Sequence, residues 1–137
     1  MDGASPYPTT AELERQYGIP PDTYCGLTPL EMSRAIIAYN SGPGRPGERV
    51  GYNPVGSPET RRDWLRREFG PDADIEAIGL RERFFTGRVQ SRLALDWSLE
   101  DEPFDRAVLE GLRLHFPELT EEARLVLCGN FSYSHAK

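Results

Sequence analysis

Hydrophobic residues between Pro103 and Ser134 recur at steps of three and four, which is the period of an α-helix. The first stripe predicts an amphipathic helix with a broad apolar face, formed by Phe104, Val108, Leu112 and His115, with Ala107, Gly111 and Leu114 beside them. Pro117 is expected to end this helix. A second stripe predicts another helix, with Thr120 as its N-cap, and consists of Ala123, Leu127 and Phe131. These two helices are expected to supply half of the core.

Two capping boxes mark helix starts earlier in the chain. In a capping box a hydroxyl and a carboxylate three residues apart each bond to a backbone N–H group of the first turn. Thr9 and Glu12 have this spacing, and so do Thr28 and Glu31. The second box, followed by a proline at the first helical position, predicts a helix over residues 29–40.

Similar signals predict two more helices in the middle of the chain. Ser57 and Pro58 open a helix that is expected to run over residues 58–69. Asp72 or Asp74 is expected to cap a fourth helix, which reaches Phe84 and Phe85.

Residues 89–99 fit two periods. Hydrophobic and polar residues alternate there as in a half-buried strand, but Phe85, Val89, Leu93 and Trp97 also fit a helix. We favour a helix over residues 86–96, because good helix formers dominate and a lone strand has no obvious partner. In the alternative, the fold is α+β, and residues 89–99 join a small antiparallel sheet with 49–52 or 125–133.

A long loop separates the second and third predicted helices. Residues 41–57 contain five glycines and three prolines, a composition that forbids a helix or a central strand. Loops of this length often carry function. Residues 1–8 are expected to form a flexible arm. The prediction is therefore a mainly α fold, with a single compact domain of five or six helices over residues 9–137.

The composition points to a core that needs no metal or disulfide, since 137 residues can bury enough surface. No run of 18 apolar residues and no signal sequence is present, so we expect a cytoplasmic protein that does not bind membranes.

Cys25 and Cys128 are expected to be buried and reduced. They and the two histidines lack zinc-site spacing, so no metal and no cofactor is predicted. Fifteen arginines and one lysine indicate a GC-rich bacterial genome.

Negative charge is concentrated towards the carboxyl end. Residues 93–137 carry nine acidic and four basic groups, and so hold most of the net charge of −6. Five of the acids lie within ten positions: Asp96, Glu100, Asp101, Glu102 and Asp105. Such a surface favours a basic protein partner and disfavours nucleic acid. Four further residues are candidates for the same contact surface: Arg49, Tyr52, Tyr133 and His135.

The third predicted helix supports an alternative function. It carries four arginines that could face a phosphate backbone, namely Arg61, Arg62, Arg66 and Arg67. A nucleic-acid-binding regulator would use this helix. Residues 58–92 hold eight basic and seven acidic groups, however, and this near balance makes nucleic acid the less favoured partner.

No catalytic motif is evident. Ser132, Ser134 and His135 lie close together in sequence but lack the Gly-x-Ser-x-Gly turn of a hydrolase nucleophile. We therefore lean against catalysis and expect a non-catalytic bacterial protein-binding domain. Its concrete version is an acidic inhibitor or immunity-type protein that binds a basic toxin. Another alternative is a small enzyme or small-ligand-binding protein with a pocket under loop 41–57, lined by Arg49, Tyr52 and Trp97.

Overall fold

The structure, a computed structural model, describes residues 6–40 and 58–136 and is mainly helical. Six helices follow one another in the described residues: α1 (Thr10–Gln16), α2 (Pro29–Asn40), α3 (Pro58–Phe69), α4 (Ile75–Leu93), α5 (Asp101–His115) and α6 (Glu121–Ala136). No strand occurs in these two ranges. The prediction of a mainly α fold with five or six helices is confirmed. Residues 1–5, residue 137 and the whole predicted loop, 41–57, lie outside the described residues.

Both predicted capping boxes are present. At the start of α1 the Glu12 N–H group donates to Thr9 Oγ1 at 3.1 Å, and the Thr9 N–H group donates to Glu12 Oε1 at 2.6 Å. The corresponding pair at the start of α2 joins Thr28 and Glu31 at 3.0 and 2.9 Å. These reciprocal bonds satisfy N–H groups that have no partner within the helix, and so they fix where each helix begins.

Asp74 and Thr120 cap α4 and α6. The Ala77 N–H group donates to Asp74 Oδ1, and the Ala123 N–H group donates to Thr120 Oγ1, each at 3.1 Å. Of the two predicted caps for the fourth helix, Asp74 therefore fills the position.

The fourth predicted helix and the helix favoured over residues 86–96 form one helix, α4, which runs from Ile75 to Leu93. Phe85 and Val89 are fully buried on the inner face of α4. Their packing stabilises the helix although Gly79 and Gly87 have low helix propensity. It ends at Ala94, whose backbone is left-handed with φ 49°. Residues 89–93 are thus helical, and residues 94–100 form turns. The possible strand partner at 49–52 lies outside the described residues.

The main hydrophobic core lies between α2, α4, α5 and α6. Its largest fully buried side chains include Met32, Ile36, Phe85, Phe104, Leu112 and Leu127. A smaller cluster joins α2, α3 and α4. The stripes predicted for α5 and α6 therefore do supply much of the core.

The apolar face of α5 is narrower than predicted. Phe104, Val108 and Leu112 are fully buried, but Leu114 is 73% exposed and His115 is also exposed. The reason is that α5 ends at His115, and Phe116 enters the core in the turn that follows. No helix in the described part of the chain is long and apolar enough to cross a membrane.

A buried serine ties α2 to the turn before α6. Ser33 is fully buried, and its hydroxyl donates to the Pro29 carbonyl at 2.8 Å while it accepts from the Thr120 N–H group at 2.9 Å. On the same turn, Arg124 Nη1 donates to the carbonyls of Phe116 and Pro117 at 3.1 and 3.0 Å. These bonds hold α6 at a fixed place against α2 and α5.

Candidate protein-binding surface

The start of α5 lies against the end of α6. Their antiparallel packing places Asp101 Oδ1 3.2 Å from His135 Nδ1, and Asp105 accepts a hydrogen bond from the Ser132 hydroxyl. The turns over residues 94–100 bring Trp97 to the same place, since its ring packs against Phe104 and faces that of His135. We call the surface formed by Trp97, His135 and the neighbouring acids the acidic corner; these acids are Asp96, Asp101, Glu102 and Asp105.

Three aromatic rings are stacked in the acidic corner. The ring of His135 lies 4.0 Å from that of Phe104 between centroids, with 14° between the planes. Trp97 packs on the same phenylalanine at 5.0 Å and remains 41% exposed. Because one side of the indole is held by the protein, the exposed side is presented to solvent in a fixed orientation. A partner that covers it would lose little side-chain entropy in this protein.

His135 supports this arrangement from beneath. Its side chain is only 10% exposed, and its Nε2 lies 2.8 Å from the Leu99 carbonyl oxygen. A carbonyl oxygen can only accept, so Nε2 carries the proton in this contact. Nδ1 then donates to Asp101 when the ring is doubly protonated. His135 therefore joins the end of α6 to the turns before α5 and offers little surface to a partner.

Three carboxylates of the corner face water, those of Asp96, Asp101 and Glu102. The side chains of Asp101 and Glu102 are 84% and 88% exposed, and Glu102 Oε2 lies 4.0 Å from Arg106 Nη2. Asp96 accepts hydrogen bonds from the hydroxyl and the N–H group of Ser98, and these bonds lower the pKa of the Asp96 carboxyl. The exposed carboxylates thus give the corner a negative charge.

Two further predicted binding residues flank the corner, and the other two lie outside the described residues. Glu100 is the exposed N-cap residue of α5, and its side chain makes no capping bond. Tyr133 is 53% exposed on α6. Arg49 and Tyr52 lie outside the described residues, so their predicted place in the surface stays a prediction.

The sequence placed Trp97 only in a candidate pocket beneath loop 41–57, which lies outside the described residues. Its actual neighbours, Phe104 and His135, are 7 and 38 positions away in sequence. The usable signal was a large aromatic residue immediately next to an acidic run, which is an unusual combination for a solvated loop. Hydrophobic periodicity could not identify Trp97 as part of this surface, because Trp97 lies in a turn.

The arginine-rich helix α3 is partly neutralised by acids. Arg62 Nη2 lies 3.5 Å from Glu76 Oε2, and Arg66 Nη1 lies 3.9 Å from Asp63 Oδ1. Arg67 is exposed, and the side chain of Arg61 lies outside the described set. These pairs reduce the positive charge that α3 would offer to a phosphate backbone.

The two cysteines are free thiols in protected surroundings. Cys25 is fully buried, and burial raises its pKa to about 11; burial also raises the pKa of Cys128. A thiol reacts as its thiolate, which is scarce at neutral pH when the pKa is raised. Among the described residues, no three histidine, cysteine or carboxylate side chains are grouped so that they could hold a metal ion.

Comparison with models of known protein families, with curated proteins and with solved structures finds no match to the chain. Function is therefore inferred from the geometry of the surface.

Proposed function

We propose that this chain is a non-catalytic protein-binding domain whose acidic corner contacts a basic segment of another protein. The observation that carries the proposal is the exposed indole of Trp97, held on Phe104 and His135 and next to carboxylates that face water. The concrete version is an acidic inhibitor or immunity-type protein in the bacterial cytoplasm, with a basic toxin as its partner.

The two chemical features of the corner have different roles. Exposed carboxylates attract a basic partner over a distance and raise the association rate at low salt. A tryptophan that becomes covered at the centre of an interface slows dissociation, and its loss typically costs about 2 kcal/mol or more of binding free energy. An arginine of the partner that stacks on the indole would use both features, through a cation–π contact and a nearby carboxylate.

The test compares capture by three immobilised proteins: wild type, Trp97→Ala and Tyr17→Ala. Tyr17 is a matched control because it is an aromatic residue that is 52% exposed and packs against a phenylalanine. Its ring centroid lies 6.1 Å from that of Phe84. We expect wild type and Tyr17→Ala to retain the same basic protein from a lysate of the source cells. Trp97→Ala should retain about tenfold less, and added salt should weaken retention by all three.

A charge variant tests the proposal without removing any packing. Glu100→Gln with Glu102→Gln changes two exposed carboxylates at the start of α5 and leaves the stack intact. We expect slower association with the captured protein and a dissociation rate close to that of wild type. Retention of the same proteins by Trp97→Ala and wild type, or an acidic captured partner, would contradict the proposal.

A further inference from the structure

A surface cleft of about 380 Å³ lies at the opposite end of α5 from the acidic corner. It opens between the turns that join α1 to α2 and the carboxyl-terminal ends of α4 and α5. The polar side chains that line it are Glu14, Asp22, Thr23, Arg88, Arg92 and His115. Its volume falls at the lower end of the range for small-molecule sites.

Arg88 makes one wall of the cleft rigid. Its Nε donates to Glu14 Oε2 at 2.9 Å, and its two terminal nitrogens donate to the carbonyls of Asp22 and Pro20 at 2.6 and 2.8 Å. The carboxylate of Asp22 in turn accepts from the Gly26 N–H group at 3.1 Å. Both acids of the cleft, Glu14 and Asp22, therefore already accept hydrogen bonds from the protein, and this wall is preorganised.

The opposite wall brings two basic side chains together. Arg92 of α4 donates from Nε to His115 Nδ1 of α5, at 3.5 Å. Because Nδ1 accepts this bond, the imidazole proton sits on Nε2. In the described part of the chain, neither side chain has a carboxylate partner within ion-pair distance. The terminal nitrogens of Arg92, the Nε2–H group of His115 and the hydroxyl of Thr23 thus remain as donors around the cleft.

A preference of helix ends for cations explains part of this arrangement. Both residues lie in the last turn of their helices, where the helix dipole favours positive charge. The dipole does not require the two side chains to face each other, because each could extend into water. The hydrogen bond between them holds donor groups of both side chains at one cleft, an arrangement that suits an anion.

We propose that this cleft binds a small monocarboxylate ligand. A guanidinium group matches the two oxygens of a carboxylate, and the donors of His115 and Thr23 can complete its hydrogen bonds. Arg88 is already paired with Glu14, which leaves Arg92 to face an anion. One guanidinium balances the single charge of a monocarboxylate, but not the two charges of a phosphate dianion. The cleft lies at the opposite end of α5 from the acidic corner and is independent of it.

The test is an NMR titration of the full chain with sodium acetate, compared with sodium chloride at equal ionic strength. We expect saturable shifts of backbone signals in residues 21–25, 88–93 and 113–117 with acetate only. Arg92→Gln should weaken acetate binding by about tenfold or more, because a charge-assisted bond is lost. Arg83→Gln is the matched control, since Arg83 is also exposed on α4 but lines a different cleft. It should bind acetate like wild type.

Two further probes decide the ligand class. His115→Gln should also weaken acetate binding, and inorganic phosphate should bind no more tightly than acetate. All four proteins should show the same unfolding temperature within about 2 °C, since the altered side chains are exposed. Equal shifts with chloride, unchanged binding by Arg92→Gln, or phosphate binding about tenfold tighter than that of acetate would each overturn the assignment.

Discussion

Gly79 and Gly87 lie on the same helix, α4, but in different surroundings. A Cβ atom added to Gly79 would lie 2.7 Å from the hydroxyl oxygen of Tyr39 and 2.9 Å from its Cζ, whereas one added to Gly87 would meet nothing within 4 Å. The Tyr39 hydroxyl also donates to the Ile75 carbonyl at 3.0 Å. α2 therefore approaches α4 closely because residue 79 has no side chain.

The two alanine variants should change stability in opposite directions. Alanine in a helix is favoured over glycine by about 1 kcal/mol, and Gly87→Ala should gain most of this amount. Gly79→Ala gains the same term but must displace Tyr39, which costs about 1–3 kcal/mol of strain and about 1 kcal/mol for the bond to Ile75. The net loss at residue 79 is about 1–3 kcal/mol, so the variants should differ by about 2–4 kcal/mol.

Urea unfolding followed by circular dichroism measures this difference directly. Equal m-values for both variants and wild type would show that the same surface is exposed on unfolding, so that the midpoints can be compared. The thermal midpoints should differ in the same sense, by about 3 °C per kcal/mol. If Gly79→Ala stabilises the protein as much as Gly87→Ala does, the close contact between α2 and α4 is wrong.

Three further predictions test the core, one thiol and one ion pair. Ser33→Ala leaves the Thr120 N–H group without its partner, so its free energy of unfolding in urea should be about 1–2 kcal/mol lower than that of Ser91→Ala. Ser91 is an exposed serine of α4 and serves as the control. Equal stability of the two variants would refute a role for the Ser33 bond. Burial raises the Cys25 pKa to about 11, so the native protein should resist alkylation of Cys25 by iodoacetamide at about pH 8. Mass spectrometry should show Cys25 unmodified in the native protein and alkylated in urea. Rapid alkylation of the native protein would contradict the burial of Cys25. Hydrogen bonds from Arg113, and then from Arg124, lower the Glu121 pKa, so the stability this carboxylate contributes is present above its ordinary value of 4.5 and is lost as pH falls below it. Glu121→Gln should flatten the acid side of the stability curve, and an unchanged acid side would exclude the linkage.

Much of the helical framework could be predicted because its signals are local. A capping box needs two side chains three residues apart, and both predicted boxes, at Thr9 and Thr28, form the expected bonds. The stripes of α5 and α6 likewise depend only on spacing within each helix. Capping boxes and apolar stripes each depend on a short stretch of sequence, so they can be found without knowledge of the tertiary fold.

The errors came from contacts between distant parts of the chain. α4 continues through Gly79 and Gly87 because its inner face, with Phe85 and Val89, is packed in the core. His115 matched the apolar period of α5, but the helix ends there and leaves its side chain exposed. Periodicity describes a face of a helix; it does not say where the neighbouring element stops covering it.

The acidic corner was predictable only in part. The run of acids from Asp96 to Asp105 is evident in the sequence, and the structure places it at one end of α5. The bond between Asp101 and His135 spans 34 positions and follows from the antiparallel packing of α5 and α6. The fixed indole of Trp97 depends on that same packing, so its place in the surface could not be found from spacing alone.

The most direct test of the proposed function is to map where the captured basic partner contacts the isotope-labelled chain, by cross-saturation NMR of the complex. We expect loss of signal to centre on residues 96–105 and on the indole N–H group of Trp97, with extension to Tyr133. Loss of signal centred on α3 and its arginines, with the Trp97 indole unaffected, would contradict the assignment of the acidic corner as the binding surface.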